Sequence, residues 1–281
     1  LDNIKHKRAV LYFPGCGASL FYRSIGMATL RLLLDTGVSV VVPPDHLCCG
    51  YPLLASGCRD QFDRLGADNE QALEKLIQQA EAAGFVIKAV LTSCGTCREV
   101  IKNYRLKSLN TKQIEFKDVV QYLIEHLSGQ WAQGPQNLLY HAACHHEWTG
   151  VPPLKAGEIY ARELGRLVGS EVSISPHCCG ESGLGALTSP KIYNRLRVRK
   201  KEQLSKDLNG YDGQAPIVVG CPSCKIGIQR TLLEMDTQRP VLHTVEFLAE
   251  LRHGQNWRKD FYKLLSTAAA ENKVQTLTAA S

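Results

Sequence analysis

Val10-Leu-Tyr-Phe-Pro-Gly-Cys16 and Leu138-Leu-Tyr-His-Ala-Ala-Cys144 are two versions of one phrase, 128 residues apart. Each is a short apolar run that ends at a cysteine. The first continues through Val38-Ser-Val-Val-Val-Pro-Pro44 to Cys48-Cys49-Gly50, and then to Ala89-Val-Leu-Thr-Ser-Cys94-Gly-Thr-Cys97. The second continues through Glu171-Val-Ser-Ile-Ser-Pro176 to Cys178-Cys179-Gly180, and then to Ile217-Val-Val-Gly-Cys221-Pro-Ser-Cys224. Matched cysteines are offset by 128, 130, 130, 127 and 127 residues. Phe116-Lys-Asp-Val-Val-Gln-Tyr-Leu123 and His243-Thr-Val-Glu-Phe-Leu-Ala-Glu-Leu251 close the two units. The 11 cysteines therefore resolve into two sets of five and a lone Cys58.

Units of this length are domain-sized, so the repeat reads as a duplicated domain and not as a solenoid. Residues 1–130 form the first repeat and 131–266 the second. The polar stretch 128–136 joins them, and 267–281 is expected to be a flexible tail. The β-branched apolar runs 8–13, 38–42, 88–92, 138–141, 171–174 and 216–219 suit strands covered on both faces. Helical patterns fill 19–35, 60–83, 97–106, 117–127, 155–168, 190–207, 224–235 and 243–253. The expected fold is α/β: two tandem pseudo-symmetric repeats, each a small, mainly parallel sheet with flanking helices. Ligands in such sheets gather at the carboxyl ends of the strands, where Cys16, Cys94, Cys144 and Cys221 all fall.

Composition narrows the function. Hydrophobic residues make up 44% and charged residues 21%, which excludes a disordered chain. Lys and Arg number 33 against 27 Asp and Glu, a net +6 that gives no ground for a nucleic-acid partner. No apolar run is long enough to span a bilayer; the best, 32–42, is short and contains Asp35. No export signal is present, so the thiols are expected in a reducing, cytoplasmic setting, where clustered cysteines bind metal or do redox chemistry. The chain starts at Leu1 and not at Met, and is expected to be a piece of something longer.

Vicinal cysteines make a strained disulfide, and a Cys-x-x-Cys turn is a common way to grip a metal. Gly50 and Gly180 leave room beside each vicinal pair for a bulky inorganic group. A single Cys-x-x-Cys is equally the mark of a redox pair or a zinc site. A structural zinc takes four ligands, so five thiols used twice point to iron–sulfur clusters instead. Cys58 reads as a small buried or spare residue.

The pattern of a cysteine, Cys-Cys-Gly and Cys-x-x-Cys, used twice, resembles the cysteine-rich CCG domain pair. That pair occurs in the B subunit of heterodisulfide reductase, the glycolate oxidase iron–sulfur subunit, the anaerobic glycerol-3-phosphate dehydrogenase C subunit and lactate-utilisation proteins. Tyr12-Phe-Pro-Gly-Cys16-Gly, Leu47-Cys-Cys-Gly-Tyr51-Pro, Ser93-Cys-Gly-Thr-Cys97 and Cys178-Cys-Gly-Glu-Ser-Gly183 are most similar to the C-terminal part of large fused FAD-binding iron–sulfur oxidoreductases. The resemblance implies a 4Fe–4S type cluster in each repeat, in some members a non-cubane form. Cys16, Cys48, Cys49, Cys94 and Cys97 would hold the first, and Cys144, Cys178, Cys179, Cys221 and Cys224 the second. It also implies that zinc can occupy one repeat. The gaps from Cys49 to Cys94 and from Cys179 to Cys221 look longer than the family's pattern, a departure in the loops and not in the ligand set.

Other residues flank the cysteines. His145 directly follows Cys144 and is the candidate catalytic residue, as a proton donor at a reducible substrate. His141, His146 and Glu147 lie beside it; such histidines are read as donors to cluster sulfur, as substitute ligands or as a polar loop. His46 and His177 precede the two vicinal pairs at equivalent places, and Gly50 and Gly180 follow them. Arg197, within the basic run Arg195–Lys201, is a candidate to fold back on an anionic cluster. No P-loop and no flavin fingerprint appear, so FAD is expected only in a partner or upstream domain.

The expected function is an iron–sulfur electron-transfer module of a flavin-linked oxidoreductase acting on a 2-hydroxy acid or similar substrate. Its expected partners are a flavin-containing dehydrogenase and an electron carrier or quinone-linked protein, with any inner-membrane contact made through a partner. The alternatives are a heterodisulfide-reductase-like catalytic subunit that reduces a disulfide at a cluster, and a zinc-stapled interaction module.

Overall fold

The structure, a computed structural model, describes residues 7–110, 114–127, 129, 131–145, 148, 151, 153–181, 189–209, 211, 215–271, 273 and 274. The first repeat is built on β1 (Lys7–Phe13), β2 (Ser39–Val41), β3 (Phe85–Thr92) and β4 (Glu115–Asp118). They form one parallel sheet in the order β2-β1-β3-β4. The second repeat uses β5 (Asn137–His141), β6 (Glu171–Ser175), β7 (Ile217–Val219) and β8 (Val241–His243) in the equivalent order β6-β5-β7-β8, again all parallel. The fold class is the expected one.

The central strands read as they do because both of their faces are covered. From Ala9 to Phe13, β1 is at most 1% exposed. Ala9, Leu11 and Phe13 enter one core with Cys49, Cys94 and Cys97, while Val10 and Tyr12 enter another beneath the opposite face. Both cores draw residues from both repeats.

The helices of the first repeat are α1 (Arg23–Asp35), α2 (Tyr51–Ala55), α3 (Arg59–Ala82), α4 (Gly95–Ile101), α5 (Lys107–Asn110) and α6 (Val119–His126). Those of the second are α7 (Pro153–Val168), α8 (Pro190–Asp207), α9 (Pro222–Glu234), α10 (Thr244–His253) and α11 (Trp257–Ala270). A short π-helical turn, Gly17–Phe21, follows Cys16. Across the repeats α1 packs on α10 and α6 on α7. By the repeat offset α1 corresponds to α7 and α6 to α10, so the two contacts are one contact made twice, with partners exchanged.

Some details differ from the sequence reading. The strands β4 and β8 were not expected, and only their last residues fall within the helices expected over 117–127 and 243–253. They are only four and three residues long and run straight into α6 and α10, whose first backbone N–H groups are capped by Asp118 and His243. The helix expected over 97–106 spans Gly95–Ile101. Finally, α11 continues to Ala270, anchored by Trp257 and Phe261, each 1% exposed. It thus extends into the stretch expected as a tail, of which residues 272 and 275–281 lie outside the described residues.

Candidate metal centres

In an open parallel sheet the strand order reverses at one point, and the crevice above it takes ligands. Here that point lies between β1 and β3, and between β5 and β7. Cys16 follows β1, and Cys94 caps the start of α4 just after β3. Cys144 follows β5, and Cys221 caps the start of α9 just after β7. The vicinal pairs arrive from the next loop, and Gly50 and Gly180 turn the chain there with φ of +81° and +77°. Such backbone is costly for other residues.

The ten paired cysteines form one continuous row. Neighbouring thiols act on one another from Cys16 to Cys48, Cys48 to Cys49, Cys49 to Cys97 and Cys97 to Cys94. The same sequence of contacts runs in the second repeat from Cys144 through Cys178, Cys179 and Cys224 to Cys221. The two halves meet at Cys94 and Cys221, whose Sγ atoms are 3.7 Å apart. The row is palindromic about that contact. Its six inner members, Cys49, Cys94, Cys97, Cys179, Cys221 and Cys224, are buried, and Cys144 at one end is exposed. Cys58 takes no part. It is exposed, so of the two readings, buried or spare, the buried one is corrected.

Backbone donors favour thiolate at six members of the row, Cys48, Cys49 and Cys94 and their counterparts Cys178, Cys179 and Cys221. The N–H of Gly50 approaches Cys48 Sγ at 3.5 Å, and that of Gly180 approaches Cys178 Sγ at 3.4 Å. The N–H of Tyr51 serves Cys49 and that of Glu181 serves Cys179. The N–H groups of Cys97 and Cys224, in the first turns of α4 and α9, face Cys94 and Cys221. Helix N-termini favour negative charge. Cys48 is pushed down to about 2, first by the thiol of Cys16, then by that of Cys49 and the Gly50 N–H. Cys178 is pushed down to about 2 by Cys144 and Cys179 in the same way. Cys94 is pushed up to about 12, chiefly by its bond to Cys221. Buried soft donors, each set flanked by N–H groups that stabilise anionic sulfur, fit a thiolate-bound metal or cluster.

The other candidates fall at different distances from the row. His145 bonds Tyr51 Oη through Nε2 at 3.2 Å, a contact between repeats. The same two residues border a cavity with Cys144, Cys178, Cys221 and Cys224. His141 is buried, and among the described residues its ring nitrogen, Cys179 Sγ and Cys224 Sγ lie within 4.8 Å of one another. His46 is exposed and bonds Ser19 Oγ through Nδ1 at 2.9 Å. His177 is exposed, with φ +70°. The stem of Arg197 packs over Gly180, where a Cβ would come within 2.5 Å of its Cγ, and its guanidinium bonds Asn194 at 2.7 Å. His146, Glu147 and the glycine-rich stretch 182–185 lie outside the described residues.

Three contributors escaped the sequence reading. Lys200, read only as part of a basic run, is fully buried. Its Nζ bonds Pro176 O at 2.6 Å, Ser175 Oγ at 2.7 Å and Ser175 O at 3.3 Å, fixing the loop that enters the second vicinal pair. On the equivalent helix of the first repeat, Asn69 Nδ2 bonds Cys48 O at 2.7 Å. Tyr51 reaches across to His145. The spacing 69 to 200 nearly repeats the cysteine offset, which is the one signal that could have paired Asn69 with Lys200; Tyr51 stands in the motif 47–52, but nothing local marks its contact with His145.

Among the described residues no helix is long and apolar enough to cross a membrane. Residues 10–102 and 138–229 each match the family model of the cysteine-rich domain CCG. An uncharacterized iron–sulfur protein of Methanocaldococcus jannaschii is 24% identical over 87% of this chain and 47% of its own length. The C subunit of the anaerobic glycerol-3-phosphate dehydrogenase of Escherichia coli is 25% identical over 88% of this chain and 60% of its own. The glycolate oxidase iron–sulfur subunit of Escherichia coli is 26% identical over 88% and 59%. The chain thus spans about half the length of the curated relatives it matches. With two matched copies, each centred on one half of the thiol row, the chain belongs to the cysteine-rich CCG domain family.

Proposed function

We propose that the chain is an electron-transfer part of a flavin-linked oxidoreductase, with one 4Fe–4S type cluster held by each repeat. Residues 1–130 supply Cys16, Cys48, Cys49, Cys94 and Cys97 to the first site. Residues 131–266 supply Cys144, Cys178, Cys179, Cys221 and Cys224 to the second. The observation that carries this reading is the unbroken row of ten thiols, joined between repeats by the 3.7 Å contact of Cys94 with Cys221. Five soft donors per site exceed what a structural zinc takes. When bound, such clusters supply single-electron storage and release.

The chain's own residues do the rest. The Gly50 and Gly180 N–H groups and the first turns of α4 and α9 stabilise anionic sulfur. Burial of the six inner cysteines keeps water from the junction. Oxidation of a 2-hydroxy acid or similar substrate belongs to a flavin in a partner or another part of the protein, and the acceptor is a quinone or another electron carrier. The relatives named as subunits of a dehydrogenase and an oxidase support this reading.

The test is iron, acid-labile sulfide and zinc content of protein purified without oxygen, with its visible absorption. About eight iron and eight sulfide per chain, with a broad band near 400 nm, are expected for two such clusters. One or two zinc, no sulfide and no colour would replace the proposal with a zinc-stapled interaction module.

A second reading, a heterodisulfide-reductase-like site, is favoured by one feature: the cavity where Tyr51 and His145 face Cys144 and Cys178. There His145 would be the catalytic residue, protonating a thiolate released from a disulfide. Disulfide-dependent oxidation of a reduced dye, lost in His145→Ala, would establish it.

A further inference from the structure

The two thiol sets match cysteine for cysteine, but their buried surroundings differ, and two of the differences bear on charge and hydrogen bonding. The first is the last residue of the leading strand. In the second repeat it is His141, 1% exposed, with a ring nitrogen inside the group formed with Cys179 and Cys224. Cys179 belongs to the vicinal pair and Cys224 to the Cys-x-x-Cys turn, so His141 meets both arms of the site. In the first repeat the equivalent residue is Phe13, which packs in the same core as Cys49, Cys94 and Cys97 and brings only hydrocarbon. The second position lies on the helix after the vicinal pair. There the second repeat buries the Lys200 ammonium, which Asp207 faces across Ser175 Oγ and which also lies near Cys178, Cys179 and Cys224, and the first places the neutral amide of Asn69.

Three other charges near the two sites are paired, while Arg197, over Gly180, bonds the neutral Asn194. The residue after each Cys-x-x-Cys is a cation that faces an acid: Arg98 faces Asp118, and Lys225 bonds Glu246. Glu181, beside the second vicinal pair, is met by Arg230 at 2.7 Å.

We infer that His141 donates an N–H hydrogen bond to the sulfur-bound group of the second repeat and, with Lys200, makes that repeat the higher-potential, electron-accepting end of the pair. The inference rests on the iron–sulfur reading above. A neutral imidazole carries one N–H, and the tautomer with that proton on the nitrogen facing Cys179 and Cys224 makes the contact without a change of net charge. Hydrogen bonds and positive charge at cluster sulfur stabilise the reduced form and raise the potential, and burial strengthens both. Electrons would then cross at Cys94 and Cys221 from the first repeat to the second.

The experiment is an EPR-monitored redox titration of iron-complete protein purified without oxygen. Wild-type protein is expected to show two midpoints. His141→Phe should lower only the higher one, and Phe13→His should raise only the lower one. His141→Gln, which keeps an N–H, should shift the higher midpoint less than His141→Phe does. If His141→Phe fails to hold iron, Phe13→His and His141→Gln still decide. Midpoints that do not move, or a shift of the same midpoint by His141→Phe and Phe13→His, would overturn the inference and leave the iron–sulfur reading intact. Wild-type protein without iron and sulfide would sink both.

Discussion

His243 of the second repeat donates its Nε2–H to the carbonyl oxygen of Ser93 in the first, at 2.9 Å. A carbonyl can only accept, and His243 Nδ1 accepts the Val245 N–H at 3.3 Å, so the ring is the neutral Nε2–H tautomer. One imidazole thus caps α10 and ties the second repeat to the residue before Cys94.

That dual role makes His243 acid-sensitive. Burial pushes its pKa down to about 4, against the opposing pull of Glu246. A histidine depressed in the fold contributes stability that is fully present above its unfolded value of about 6.5, and that is lost as pH falls toward 4. In His243→Asn, a side chain that still caps a helix, the gap in unfolding free energy from wild type should shrink from pH 7 to pH 4.5. Urea titrations at the two pH values measure it, and a gap independent of pH would contradict the assignment.

Gly95 sets how closely the repeats approach. A Cβ there would lie 2.2 Å from the carbonyl oxygen of His145. Gly95→Ala should therefore destabilise by about 1–3 kcal/mol, as overpacking does, although alanine is the better helix former. Gly66, inside α3 with its nearest neighbour at 4.0 Å, is the control. Gly66→Ala should stabilise by about 1 kcal/mol. Thermal melts of the two variants should move in opposite directions.

Lys200→Met removes the donor to Ser175 O and Pro176 O while keeping the stem's bulk. Leaving buried acceptors unpaired costs about 1–3 kcal/mol. Metal should be lost from the second repeat first, so the metal content of purified protein falls toward half. Asn69→Ala should do the same to the first repeat through Cys48 O. Unchanged metal content in both variants would remove these residues from the support of the sites.

Cys58→Ser should leave metal content unchanged and alter stability by no more than about 0.5 kcal/mol, as expected of an exposed position. Cys94→Ser should lower metal content, and because Cys94 touches Cys221 the loss should extend to both repeats. A Cys58 variant that loses metal would contradict the placement of all ten ligands.

The parallel sheets and the cysteine sets were legible because both are written in short-range patterns: apolar β-branched runs, vicinal cysteines, Cys-x-x-Cys turns and a constant offset. The edge strands β4 and β8 were not, because three or four residues that pass directly into a helix carry no period of their own. Lys200 was not singled out because nothing local distinguishes one lysine in a basic run, and only the fold shows that it turns inward beneath Ser175 and Pro176. Tyr51 and His145 are 94 residues apart, and their contact exists only once the repeats have docked.

The exchange of partners across the junction bears on ancestry. Gly95 meets His145, and Gly17, the counterpart of His145, meets Pro222, the counterpart of Gly95; Cys94 meets its own counterpart Cys221. This is the contact pattern of an isologous homodimer, in which a residue on the axis faces its own copy. A single-repeat forebear could have assembled in this way with two identical centres. Joining the copies in one polypeptide frees each half to vary alone. Glycine against histidine after the first cysteine, and phenylalanine against histidine at the strand end, are differences that two copies of one gene product could never have shown.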